Sequence, residues 1–356
     1  MSASITKDLI IAALSKVLDP EIKKDLVTLN MIQDVAIENG KDVRFSIVLT
    51  TPACPLKNTI KKEAFEAVQA IPGVGKIDIN MTSKVRSDGI SREIKIPVRN
   101  VIAIGSGKGG VGKSTVAVNI AVALAKAGAS VGLMDADIYG PNIPTMMGVE
   151  DTPRSKGDKI IPPVAYGVKI ISIGFFVPSD QPLIWRGPML HNAIRQFIAD
   201  VEWGDLDYLI VDLPPGTGDI QLSLTQSLPL SGGIIVTLPQ EVSLEDALRG
   251  LKMYEKLNVP VLGVIENMSY LQMPDGTRMD VFGTGGGKRL AETNNVPLLG
   301  EIPLDPAVRI SGDNGKPIVI SHPEKASAKA LQSIAENIAG QVSMMAYENA
   351  KDIGKV

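Results

Sequence analysis

Residues 101–128 read VIAIGSGKGGVGKSTVAVNIAVALAKAG. The apolar run 101–104 has strand length, and the segment after Lys113 reads as a helix. The turn between them is Gly107-Lys108-Gly109-Gly110-Val111-Gly112-Lys113-Ser114-Thr115, which satisfies G-x-x-x-x-G-K-[ST] in the strand-to-helix context that the motif requires. Glycines let backbone N–H groups converge on phosphate oxygens without Cβ obstruction, and the helix N-terminus adds its dipole. Lys113 is expected to reach the β- and γ-phosphates of a nucleotide, and the Ser114 hydroxyl to ligate magnesium.

Working outward, apolar strand candidates at 101–104, 130–134, 168–173, 207–212, 233–238, 260–265 and 297–302 alternate with segments long enough for crossover helices. That grammar predicts an α/β fold, a mostly parallel sheet with helices on both faces. Asp212 ends one strand and opens DLPPGTGD, where a carboxylate meets a magnesium shell, probing it through water, at the C-terminal edge of the sheet. Asp135 and Asp137 end another and face the same edge. Either could position the attacking water or help hold the metal, and Asp137 is the better placed.

Upstream, residues 1–82 read as a small α+β unit. A helix spans 5–18 and ends at Asp19-Pro20, a hairpin turns at Asn39-Gly40, a helix covers about 56–70, and a last strand lies near 76–81. Residues 83–98 are charged and unperiodic and read as a linker, 99–340 as the α/β domain and 341–356 as a weakly patterned tail that ends in an exposed helix or a frayed segment. The 356-residue chain is too long for one core of ordinary size, and with 44% hydrophobic and 21% charged residues it is not a disordered one. Net charge is −3, so no global positive field gathers nucleic acid. No apolar run is long enough to span a bilayer, the single cysteine excludes an intramolecular disulfide, and the N-terminus lacks a secretory pattern, so a cytoplasmic location is expected.

The extra Lys108 resembles the deviant Walker motif KGGxGK[ST] of the MinD, ParA and nitrogenase-iron-protein class. DADIYGPNIPTMMG (135–148), WRGPM (185–189), DYLIVDLPPGTGDIQLSLTQ (207–226) and ENMSY (266–270) are similar to the Mrp/ApbC branch, the iron-sulfur cluster carriers. DPEI (19–22) and TTPACP (50–55) resemble the small SufT-like domain fused to many of them. The resemblance implies a homodimeric ATPase that binds ATP and magnesium and passes iron-sulfur clusters from donor proteins to recipient apoproteins. It implies that Lys108 reaches the nucleotide of the other subunit, that Asp137 and Asp212 are the two switch aspartates, that Asn267 reads the adenine edge, and that Pro303-Leu304-Asp305 flanks the base.

The chain departs from that pattern at one point. Where many relatives carry Cys-x-x-Cys after ENMSY, it reads Met273-Pro274-Asp275-Gly276, and Cys54 is its only cysteine. Two copies supply two thiolates, so one homodimer cannot ligate a cluster through four cysteines. A cluster then uses other ligands, or Cys54 contributes, or the protein supports assembly without holding one. Cys54 precedes a candidate helix, whose N-terminus favours a thiolate; a buried inert cysteine is the alternative. His191 and His322 lack partners at ligand spacing and read as structural or solvated, the methionine pairs as packing, and Gly285-Gly286-Gly287 as a flexible turn before a helix. The competing function is an accessory or positioning ATPase without a cluster. For that class, the tail 341–356 lacks the basic amphipathic character that a membrane surface demands.

Overall fold

The computed structural model describes residues 5–88, 96–176 and 187–352; Trp185 and Arg186 of the WRGPM motif and the His191 side chain lie outside the described residues. Two compact units divide the chain, one formed by residues up to Arg86 with those from Ala339 onward, the other by Ser87–Ile338.

In the first unit, α1 (Lys7–Leu14) starts at a Thr6 cap and stops short of the expected end at residue 18. The reason is local. Asp19 precedes a proline and is therefore held extended, Leu18–Asp19 pairs with Lys24–Asp25, and Asp19 Oδ1 accepts from the amides of Glu21 and Ile22, both at 2.9 Å. Strands β1 (Ile32–Glu38) and β2 (Asp42–Leu49) form the hairpin, with both Asn39 and Gly40 at positive φ as an Asn-Gly turn requires. Helix α2 (Lys57–Gln69) crosses to β3 (Ile77–Ser83), which pairs parallel to β2. Ile60, Ala64 and Val68, at fourfold spacing on α2, bury one face against a core that includes Ile10, Leu14, Phe45 and Ile47.

The second unit is built on eight strands: β4 (Val98–Ser106), β5 (Val131–Asp135), β6 (Val164–Ala165), β7 (Val168–Ser172), β8 (Leu206–Asp212), β9 (Gly232–Thr237), β10 (Val261–Glu266) and β11 (Leu298–Glu301). Their order is β6-β7-β5-β8-β4-β9-β10-β11, parallel throughout except for the short edge strand β6. Every residue of β5 and β9 is buried, which requires cover on both faces of the sheet. Helices α3 (Lys113–Lys126), α4 (Gly187–Ala199), α5 (Asp219–Ser227), α6 (Glu241–Lys256), α7 (Gly286–Thr293) and α8 (Pro306–Asp313) supply the crossovers and cover. The last helix, α9 (Ala326–Asp352), is continuous, and residues 341–352, read from sequence as a tail, extend it. There Val342, Ala346 and Tyr347 are buried, and Tyr347 joins the core of the first unit. Among the described residues no helix is long and apolar enough to cross a membrane.

Candidate functional site

Strand β4 delivers the glycine-rich loop at the C-terminal edge of the sheet, flanked by the ends of β8 and β9. Two of its glycines are fixed by crowding. A Cβ at Gly107 would stand 2.1 Å from the carbonyl carbon of Asp246 on α6, and one at Gly112, where φ is +83°, would stand 2.3 Å from Asn267 Nδ2. Gly112 caps α3, and Asn267 Nδ2 donates to the Val111 carbonyl at 2.8 Å, tying the end of β10 to the loop.

Parallel register brings the carboxylates together. Asp212 on β8 stands opposite Asp135 on β5, and Asp137 follows two residues later. The first turn of α3 meets this group: Lys113 Nζ lies 2.6 Å from Asp212 Oδ1, 3.3 Å from Asp137 Oδ2 and 3.3 Å from Ser114 Oγ. Ser114 Oγ donates to Asp212 Oδ2 at 2.6 Å. Asp137 Oδ1 also accepts from the amides of Tyr139 and Gly140. Asp135, the carboxylate given less weight from sequence, accepts from Ser172 Oγ at 2.8 Å and from the amides of Asp137 and Ile143. Lys108 is half-buried at the mouth of the loop and makes no ion pair among the described residues.

Burial opposes the charge of Lys113, but Asp212 and then Asp137 outweigh it and hold its pKa above the usual lysine value. Burial and the neighbouring Asp212 push Asp135 up to about 8, and burial also raises Asp212 despite the opposing pull of Lys113. One lysine thus faces three buried carboxylates. Because the folded-state pKa of Asp135 is raised, this group favours the fold most below the unfolded carboxylate value, and its contribution is lost as pH rises toward 8. Asp135→Asn abolishes that slope. In melts of the protein without nucleotide, the variant is expected to gain on wild type steadily from pH 5 to pH 8, whereas a constant offset would count against the shift.

Two cavities meet at the loop. The smaller and more polar one, about 390 Å³, is lined by Lys108, Lys113, Ser114, Asp137 and Tyr139. The larger, about 830 Å³, is mostly apolar, with Met146, Met268, Leu271, Ile302 and Pro303 in its wall. Gly112, Thr115, Asn142 and Met146 border both, so the more polar end runs into an apolar chamber. Asn267, Pro303 and Asp305 all line the chamber. Asp305 is already engaged, capping α8 through Ala307 N at 2.9 Å and accepting from Ser327 Oγ at 2.9 Å. Asn142 and Tyr139 were not singled out from sequence as site residues, although both lie in the DADIYGPN run.

Ser114 and Asp212 are hard oxygen donors in a pocket with surplus negative charge, which suits magnesium. Among the described residues no three His, Cys, Asp or Glu side chains converge to hold a metal by themselves. Cys54 belongs to the other unit, where it is half-buried at the margin of the small core. His322 Nδ1 lies 3.1 Å from Ser321 Oγ.

A family profile described as NUBPL iron-transfer P-loop NTPase matches residues 97–339, and one described as iron-sulfur cluster assembly protein matches 7–79. The iron-sulfur cluster carrier protein of Synechocystis sp. is 54% identical over 96% of this chain and 99% of its own, and that of Deinococcus radiodurans is 49% identical over 95% and 96%. Among solved structures, the nucleotide-binding protein of Archaeoglobus fulgidus in complex with ADP is 36% identical, with a TM-score of 0.57 over 65% of this chain and 90% of that one. The septum site-determining protein MinD of Pyrococcus horikoshii, complexed with Mg-ADP, is 26% identical, with a TM-score of 0.51 over 66% and 94%. With its larger part matched by that profile and nearly its whole length by such relatives, the chain belongs to the NUBPL iron-transfer P-loop NTPase family.

Proposed function

We propose that the protein binds and hydrolyses ATP with magnesium, working as a homodimer that carries iron-sulfur clusters or assists their assembly and delivery to apoproteins. The observation that carries the nucleotide half of this reading is the joined pair of cavities, lined at one end by the loop glycines, Lys108 and Lys113 and apolar at the other. Phosphate oxygens entering the loop compete with Asp212 for Lys113 Nζ. Ser114 and Asp212 would hold magnesium, which would supply charge neutralisation to the phosphates when bound. Once Lys113 turns to phosphate, Asp212 is free to respond to the nucleotide and Asp137 to orient a water. The base fills the chamber between Met146, Met268 and Pro303, with Asn267 at its edge.

The cargo half rests on family membership and on the curated relatives named as carriers. These match almost end to end, which favours a carrier over a positioning ATPase. One cysteine per chain limits how that cargo is held. At the position of the missing pair, Met273–Thr277 closes as a tight turn: Met273 N donates to Thr277 O, and Asp275 Oδ1 accepts from Thr277 N and Oγ1. Thiolate ligation of a cluster by this chain therefore has to pass through Cys54. Anaerobic reconstitution followed by iron and acid-labile sulfide analysis is expected to show cluster on the wild type and none on Cys54→Ser. Absence from both proteins, with ATPase activity intact, favours the accessory ATPase instead.

A further inference from the structure

Helix α6 sends Tyr254 beneath the strand that carries the loop, and glycines make the room. A Cβ at Gly233 would stand 2.5 Å from the Tyr254 ring, and one at Gly105 would stand 2.6 Å from Tyr254 Oη. In the register of β9 and β4, Gly233 pairs with Ala103 and Ile235 with Gly105, so the ring lies across the two strands with its hydroxyl under Gly105, two residues before the loop begins. The same point at Gly105 is 3.2 Å from Gln221 Nε2. Gln221 belongs to the first turn of α5, the helix that follows the Asp212 segment.

Both side chains are buried, Tyr254 at 0% and Gln221 at 2% exposure, and neither Tyr254 Oη nor either Gln221 amide atom has a hydrogen-bond partner among the described residues. Buried polar groups are nearly always paired. Burial drives the Tyr254 pKa upward, so its O–H remains a donor, and Gln221 Oε1 is its natural acceptor. A movement of α5 that brings Gln221 Oε1 to Tyr254 Oη would complete that bond. The cause of such a movement lies close by: Asp212 is gripped by Lys113 and Ser114, and residues 213–218 join it directly to α5.

We infer that Gln221 and Tyr254 form the closing contact of a nucleotide-operated latch, in which release of Asp212 by Lys113 lets α5 dock on α6 through a Tyr254 O–H to Gln221 Oε1 hydrogen bond. The inference rests on the ATPase reading above. Both are positioning residues: they touch no substrate and set the place of the Asp212 segment from beneath. A phenylalanine would fill the same glycine-lined slot, so the hydroxyl serves the contact and not the packing.

Tyr254→Phe removes one atom and leaves the ring in place. Its ATP affinity is expected to stay within about twofold of wild type and its kcat to fall about tenfold, the scale of one hydrogen bond. ATP-dependent protection of the 219–227 amides in hydrogen exchange is expected to disappear. Gln221→Met is expected to do the same, and the double variant to be no worse than either single one, because the two groups act as a unit. Wild-type kcat and wild-type protection in Tyr254→Phe overturn the latch, whatever the change in melting temperature; so do additive losses in the double variant. A wild-type protein that protects 219–227 on binding ATP yet turns none over refutes the ATPase reading and leaves the exchange comparison to judge the latch.

Discussion

Lys113→Ala is expected to abolish ATP binding and, in the same stroke, to destabilise the protein without nucleotide. The first effect follows from the loss of the cation at the phosphate end of the cavity, and a loss of affinity of about a hundredfold or more is expected in calorimetric titration. The second follows from what Lys113 holds. Its ammonium and the Asp212 and Asp137 carboxylates are almost fully buried, with side-chain exposures of 6%, 1% and 10%. Removing one member of a buried ion pair leaves the other uncompensated, at about 3 to 5 kcal/mol. Protonation softens that loss. Without the lysine, Asp212 keeps its burial and its carboxylate neighbour and loses the group that pulls its pKa down. A carboxyl with a raised folded-state pKa favours the fold at low pH and loses that contribution as pH rises. The deficit of Lys113→Ala in urea melts is therefore expected to be large at pH 8 and smaller near pH 5.5. A deficit independent of pH would mean that Asp212 is not left exposed to its own desolvation.

The loop, its lysines and the strand-end aspartates were legible because they depend on local order. A strand, a glycine turn and a helix must follow one another for the motif to exist, and seven apolar runs whose spacing excludes hairpins between them can only be strands of a largely parallel sheet. All seven lie in the sheet. Other features were not legible because they depend on which strands become neighbours. Nothing in the sequence near Asp135 says that it faces Asp212, since that pairing exists only once β5 and β8 are adjacent. The same is true of Gly107, whose glycine is dictated by the α6 backbone at Asp246, and of Gly105, whose glycine is dictated by Tyr254, roughly one hundred and fifty residues away along the chain. Leu14 and Val17 share the apolar face that predicts a longer α1, and both are buried, but the extended residue before Pro20 ends the helix first. The weak pattern after Ile338 allows an exposed helix or a frayed segment; the helix is there, but Val342, Ala346 and Tyr347 are buried, and burial of Tyr347 depends on the core of the first unit and not on the helix itself.

Lys108→Ala is expected to separate binding from turnover. Lys113 is committed to the buried carboxylates, whereas Lys108 stands half-buried at the mouth of the polar cavity with no ion pair among the described residues. A lysine so placed adds little to holding a nucleotide that Lys113 and the loop amides already grip. It is well placed to meet charge that develops during phosphoryl transfer, the role an arginine finger fills. ATP affinity is therefore expected to stay within a few-fold of wild type while kcat falls about a hundredfold or more. The proposed homodimer adds a sharper test. If Lys108 serves the other subunit, a Lys108→Ala protomer keeps an intact loop and lacks only a lysine that its neighbour can lend. A Lys113→Ala protomer has a dead loop and still carries Lys108. Mixing equal amounts of the two inactive variants then creates one working site in each mixed pair, and random pairing restores about a quarter of wild-type activity. Lysine acting within its own subunit restores none, because every intact loop in the mixture then lacks its Lys108. Recovery near a quarter would establish both the dimer and the direction in which Lys108 works.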